Sequence, residues 1–294
     1  MTVNKEKTVY ALGFFDGVHL GHQALLRECR SLADKLGLKA AAVTFDRHPG
    51  SLISGHAPVL INSVCDREML LRSFGMDRVI VLPFDERMMQ TPWQEFFADL
   101  LRSHGAAGLV CGDDFHFGKR GEGNARLLQE ACAAAKIPCV VVPEQTVDGI
   151  RVSSTHIRKL LEAGELEAAN RFLGHPHVLS GKVISGRQLG RTIGIPTANL
   201  QIPEGVIVPK FGVYATRVGE MPAVTNVGCR PTVSGRGVTV EPWILDFEGD
   251  LYGKEITLQF YKFLRAEKKF DSLEELRAEI RKNAVQTREF FGKK

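Results

Sequence analysis

No stretch of this chain is apolar for long enough to cross a bilayer, and its first ten residues, MTVNKEKTVY, hold no apolar signal core. Neither a membrane span nor a secretory leader is expected. Cysteine occurs six times (Cys29, Cys65, Cys111, Cys132, Cys139, Cys229) but never as a C-x-x-C pair. That scatter argues against a zinc ribbon or a disulfide scaffold and for free thiols in a reducing cytoplasm. The lysine-bearing loop of P-loop nucleotide enzymes is missing, and so is any G-x-G-x-x-G. Net charge is only +4, with both signs mixed along the chain, so a nucleic-acid partner is not expected and small anions are. There is no internal repeat and no low-complexity tract.

What remains is 294 residues with 44% apolar content, enough for two ordinary cores. Through the first half, short apolar runs at 9–12, 41–45, 79–82, 108–111 and 139–142 alternate with helical patterns at 23–36, 65–74, 92–104 and 125–136. Strand then helix, with strands apolar on both faces, predicts an α/β domain: a Rossmann-like, doubly wound parallel sheet. A helix at 165–173 ends at Gly174, and His175-Pro176-His177 reads as a linker. Beyond it the chain offers strands at 178–185, 212–218, 223–227, 238–247 and 254–264, which predict a small antiparallel β-barrel or a sandwich. A C-terminal helix from Ser272 to about Phe291 closes the pattern. The expected domains are 1–174 and 178–294.

The most informative stretch is Ala11 to Gln23, ALGFFDGVHLGHQ. A strand breaks at Gly13, passes Phe14-Phe15-Asp16-Gly17, and reaches His19 and His22 at a helix start. Unpaired N–H groups and the helix dipole make such a start a phosphate site, and two histidines three apart share one face of it. A zinc reading fails for want of a third ligand at a useful spacing. The pattern G-x-F-D-G-x-H-x-G-H resembles the signature of the HIGH-type nucleotidyltransferases, in the version of the prokaryotic bifunctional riboflavin kinase/FAD synthetases. The resemblance implies ATP binding by Gly13, Phe14, Phe15, Asp16 and Gly17, with His19 and His22 on the phosphates during adenylyl transfer.

Two further segments of the first half fit that resemblance. Gly112-Asp113-Asp114-Phe115-His116-Phe117-Gly118 follows a strand, and its likeness to G-x-D/N-F-x-F-G implies that Asp114 lies in the adenylyl-transfer site. Arg151-Val152-Ser153-Ser154-Thr155-His156-Ile157-Arg158 is similar to S-S-T-x-I-R, which implies phosphate contacts from Ser154, Thr155 and Arg158, the last on the leaving pyrophosphate. Thr44-Phe45-Asp46-Arg47-His48-Pro49 departs from the T-F-x-P-H-P of the family at Arg47. That arginine either adds a phosphate contact or loosens the loop.

In the second half, Gly186, Gly190 and Gly194 punctuate a basic glycine-rich run that leads into Pro196-Thr197-Ala198-Asn199. Taken on their own, these residues could form a phosphate nest but fit a structured barrel loop better. The run resembles the riboflavin kinase module, and the likeness implies that Thr197 and Asn199 hold magnesium (Mg2+) carried by ATP, with the three glycines around the nucleotide. Asn226-Val227-Gly228-Cys229-Arg230-Pro231-Thr232 is similar to N-I-G-x-R-P-T. Val240-Glu241-Pro242-Trp243-Ile244-Leu245-Asp246-Phe247 is similar to V-E-x-H-I-x-D-F, with Trp243 in place of the histidine, facing either a flavin or the core. Glu241 is then the implied base for the ribityl hydroxyl. The implied substrates and products are ATP, riboflavin, FMN and FAD. A silent second domain, which Arg47 and Trp243 leave open, and a non-catalytic flavin-binding regulator are the alternatives. The intact set His19, His22, Arg158, Thr197, Asn199 and Glu241 speaks against the regulator.

Overall fold

Residues 6–53, 58–185, 194–232 and 235–292 are described by a computed structural model. The chain forms two compact units, Met1–Val59 with Arg67–Ser153, and Leu60–Asp66 with Ser154–Lys294.

The first unit is built on five parallel strands, β1 (Thr8–Leu12), β2 (Lys39–Phe45), β3 (Arg78–Leu82), β4 (Ala106–Gly112) and β7 (Cys139–Val142). Their order across the sheet is β3-β2-β1-β4-β7. Every one lies within two residues of its expected place, because a parallel strand covered on both faces must be apolar throughout. β1 shows the effect most plainly, with all five residues buried. The helices are α1 (Leu20–Leu36), α2 (Gly50–Ile53), α3 (Val64–Ser73, which the division between units crosses), α4 (Glu86–Gln90), α5 (Trp93–His104) and α6 (Ala125–Ala134). α5 and α6 cover one face through Phe96, Phe97, Leu100 and Leu128 against Tyr10, Leu12 and Leu109. Two small hairpins, β5 (His116–Phe117) with β6 (Gly123–Asn124) and β8 (Thr146–Val147) with β9 (Ile150–Arg151), decorate the loops. Strand order reverses between β1 and β4, so the crevice beyond their carboxyl ends is where such a sheet takes its ligand.

The second unit carries α7 (Ser154–Ala163), α8 (Leu166–Leu173) and a closed antiparallel barrel. Its strands are β10 (His177–Ile184), β11 (Asn199–Gln201), β12 (Gly212–Val218), β13 (Met221–Thr232), β14 (Gly235–Ile244) and β15 (Glu255–Arg265). They close in the order β10-β11-β14-β13-β12-β15. The barrel, not the sandwich, is the form adopted. Closure depends on β11, three residues that the sequence reading took for loop. A final helix, α9 (Leu273–Gly292), lays Ala284 on Val213, Val224 and Leu245, with Trp243 packed into the same cluster.

His175-Pro176-His177, expected as a short linker, runs directly into a strand. His177 opens β10 fully buried, and its N–H donates to Asn170 Oδ1 of α8 at 2.8 Å. Asn170 Nδ2 in turn donates to Phe260 O of β15 at 2.8 Å. The short piece Leu60–Asp66 also belongs to this unit. Asp66, 2% exposed, accepts the N–H of Ser180 at 3.3 Å and the Ser180 hydroxyl, which also contacts Thr257 Oγ1 at 2.7 Å.

Candidate active sites

At the end of β1 the backbone turns sharply. Phe15 (φ +60°), Gly17 (φ +85°) and Val18 (φ +41°) are all left-handed, and the two non-glycine residues are fully buried. Strain of this kind persists only where surrounding packing fixes it, and it gathers at functional loops. Gly13 is glycine because the Phe15 ring folds back to 3.0 Å from where a Cβ would sit.

His19 then caps α1, its Nδ1 accepting the His22 N–H at 3.3 Å. The two imidazoles stack with centroids 3.6 Å apart and planes 12° off parallel. Gly21 between them leaves room for the His19 ring, which would lie 3.2 Å from a Cβ there. Burial pushes the His22 pKa well below its usual value, with His19 and Arg67 adding to the effect. His22 is therefore a neutral imidazole, and its buried Nδ1 has no hydrogen-bond partner. A neutral imidazole keeps one N–H, and a donor at a helix N-terminus suits a phosphate.

The loop after β4 offers a second polar group. Asp114 accepts Arg151 Nη2 at 2.6 Å, and the same nitrogen meets Glu144 Oε1 at 2.7 Å. His116 Nδ1 lies 2.9 Å from Asp114 O. Arg47, the departure in the loop after β2, is 58% exposed and pairs with its neighbour Asp46 at 3.5 Å. Between the ends of β1, β2 and β4 lies a largely apolar cavity of about 450 Å³, walled by Phe45, Phe84, Met88, Phe96, Phe115 and Phe117 with His116 and Arg120 on its lining. Ser154 and Thr155 occupy the first turn of α7, and Arg158 follows one turn later, half-buried. That helix is part of the second compact unit, whereas the histidine pair and Asp114 are part of the first.

In the barrel, Leu200 pairs with Val240 and Asn226 with Glu241. Ala198 N donates to Pro242 O at 2.9 Å, which continues the same register and sets Asn199 opposite Glu241. Asn199, Glu241 and Asn226 thus form a row across three strands, half-buried, on the face opposite the buried Leu200, Val240 and Val227. Thr197 lines an adjoining cavity of about 250 Å³ with Pro196, Phe247, Asp250 and Tyr252. Gly194 is left-handed (φ +71°). Gly186 and Gly190 lie outside the described residues.

Two residues escaped the sequence reading. Arg67 is fully buried behind the histidine loop, and the signal that could have revealed it is its spacing to Leu70 and Leu71, which puts it on the apolar side of α3. Glu267 lays its carboxylate against Gly228, beside the Asn226 amide, and no local pattern marks it.

A parallel sheet with a histidine pair at a helix start, followed by a closed barrel carrying the Asn199–Glu241–Asn226 row, is the architecture expected of a two-part nucleotide-dependent transferase. Comparison with known proteins agrees. The FAD synthetase family model matches residues 1–156 and the riboflavin kinase family model residues 173–291. A bifunctional riboflavin kinase/FMN adenylyltransferase of Listeria monocytogenes is 37% identical, over 97% of this chain and 93% of that one. Its counterpart in Escherichia coli K12 is 39% identical, over 98% and 94%. A solved structure from Streptococcus pneumoniae, described as a macrolide-efflux protein, superposes with a TM-score of 0.84 at 30% identity, covering 96% of this chain and 94% of its own. No helix among the described residues is long and apolar enough to span a membrane.

The chain belongs to the bifunctional riboflavin kinase/FMN adenylyltransferase family. It phosphorylates riboflavin to FMN with ATP and adenylylates FMN to FAD, releasing pyrophosphate.

Proposed function

We propose that residues 1–174 carry adenylyl transfer and residues 178–294 carry riboflavin phosphorylation, on small molecules in the cytoplasm. The observation that carries this division is the separation of the two chemistries: the stacked histidine pair belongs to one compact unit and the Asn199–Glu241–Asn226 row to the other. Six free cysteines accord with a reducing compartment.

In adenylyl transfer an FMN phosphate oxygen bonds to the α-phosphorus of ATP as the bond from that phosphorus to pyrophosphate breaks. The attacking phosphate is ionised near pH 7, so no base is required. Charge builds on the α-phosphate oxygens, where His19, His22 and the first N–H groups of α1 supply preplaced donors. The motif likenesses support phosphate contacts from Ser154, Thr155 and Arg158, with Arg158 on the leaving pyrophosphate, and a part in adenylyl transfer for Asp114. The phenylalanine-walled cavity has the size and character for a flat, largely apolar isoalloxazine ring.

In the kinase, the 5′-hydroxyl of riboflavin bonds to the γ-phosphorus as ADP departs, and Glu241 accepts the hydroxyl proton. Thr197, which lines a cavity with Asp250, and Asn199 offer hard, neutral oxygens of the kind that would hold magnesium carried on nucleotide phosphates. Magnesium held there would supply charge neutralisation to the phosphoryl group being transferred. Gly186, Gly190 and Gly194 supply backbone N–H groups to the nucleotide.

The test is a pair of variants assayed on both substrates. Glu241→Gln is expected to lose riboflavin phosphorylation by orders of magnitude and to convert added FMN to FAD normally. His22→Ala is expected to do the reverse, losing roughly 10²- to 10³-fold in adenylylation. Loss of both activities in either variant would contradict the division.

A further inference from the structure

We infer that Arg67 is a positioning residue for adenylyl transfer, its guanidinium clamping the strained loop that presents the histidine pair. The inference rests on the assignment of adenylyl transfer to that loop. Arg67 is 0% exposed and heads the fully buried side chains by volume. Its Nη1 donates to Phe14 O at 3.1 Å and its Nη2 to Phe45 O at 2.5 Å. Those carbonyls stand just beyond β1 and at the end of β2, so one planar fork fixes the spacing of two strand ends. Thr44 Oγ1 adds a second donor to Phe14 O at 2.8 Å, and the Phe14 ring lies over the guanidinium, 4.3 Å from centroid to carbon. Phe14 is thereby held on both its carbonyl and its ring, directly before the left-handed Phe15.

Folding alone gives little reason to keep a cation here. Burial disfavours the charged guanidinium, and the carboxylates of Asp16, Asp46 and Glu68 counter it only in part. Its Nε has no hydrogen-bond partner. Replacing a buried charge and its partners with apolar residues is often neutral or stabilising, so what the guanidinium supplies is geometry. The same side chain is close enough to His22 to push its pKa down. With the clamp gone, Phe15 is free to leave its strained conformation, and the ring stack of His19 and His22 loses its backing. A misplacement near 1 Å of groups that serve a transition state costs on the order of 10²-fold in rate.

The experiment uses the full-length enzyme with Arg67→Met and Arg67→Lys, measuring kcat and KM for ATP in FMN adenylylation, riboflavin phosphorylation, and thermal unfolding. Arg67→Met is expected to keep riboflavin phosphorylation and to lose roughly 10²-fold in adenylylation kcat well below its melting temperature, with a smaller change in KM. Arg67→Lys should recover part of the loss, because an ammonium restores the charge but not the two-carbonyl fork. A folded Arg67→Met with the wild-type adenylylation kcat would reduce Arg67 to a stabilising role and overturn the inference. Should Arg67→Met fail to fold, Arg67→Lys decides alone: a tenfold or greater fall in kcat supports the clamp, and an unchanged kcat overturns it. If His22→Ala also leaves adenylylation intact, the assignment of the loop has failed; if only the Arg67 variants do, the clamp alone has.

Discussion

Gly21 shows how single atoms set the histidine pair proposed for adenylyl transfer. It lies inside α1, where alanine is the better helix former by about 1 kcal/mol, yet a methyl group there would press the His19 ring at 3.2 Å. Gly21→Ala is therefore expected to unfold at the same temperature or slightly higher while slowing FAD formation from FMN about tenfold, because the capping ring must move. A melting scan beside an FMN adenylylation rate checks both halves, and a normal rate would show that the ring position is not critical. The placement of the histidines was legible because a glycine-bearing break between an apolar run and a helical pattern marks a strand-to-helix junction. Arg67 was not, since an arginine in a helix ordinarily faces water, and its burial depends on Phe14 and Phe45, which are distant in sequence. Arg47 and Trp243, whose roles were open from the sequence, are placed by their neighbours: Arg47 pairs with Asp46 at the surface, and Trp243 packs under α9.

At the scale of elements, β10 carries an acid-sensitive residue at its start. His177 is fully buried against Phe260, and neither ring nitrogen has a hydrogen-bond partner. Burial, helped by His175, lowers its pKa to about 3. The unfolded chain takes up a proton below about pH 6.5, and the folded barrel refuses it until about pH 3. Stability is thus complete above pH 6.5 and declines below it, by about 1.4 kcal/mol per pH unit from this group alone. His22, also depressed by burial, acts in the same direction. Melting temperature is expected to fall steadily from pH 7 to pH 4, and His177→Phe to flatten that slope. Identical slopes in the two proteins would remove His177 from the account. The long strands around it were readable from alternation and apolar content. β11 was not, because three residues inside a glycine- and proline-rich run have no periodicity of their own, and only pairing with β10 and β14 makes them a strand. α4 was hidden for the same reason, five residues started by the Asp85 side chain on the Met88 N–H.

Over the whole molecule, two halves with different rhythms were visible because period-2 and strand–helix patterns are local properties. Membership of the short segment Leu60–Asp66 in the barrel-bearing unit was not. It rests on non-local bonds, Leu60 with Gly205 and Ile207 and Asp66 with Ser180, that no neighbouring residue announces. The protein performs consecutive reactions in which the product of one is the substrate of the other. The most direct test is a time course of the purified protein with riboflavin, ATP and magnesium, separating the flavins by chromatography. FMN is expected to appear first and then to decline as FAD accumulates. Riboflavin left unconsumed by a preparation that converts added FMN to FAD would contradict the account, because the Asn199–Glu241–Asn226 row would then sit in a barrel that does not phosphorylate.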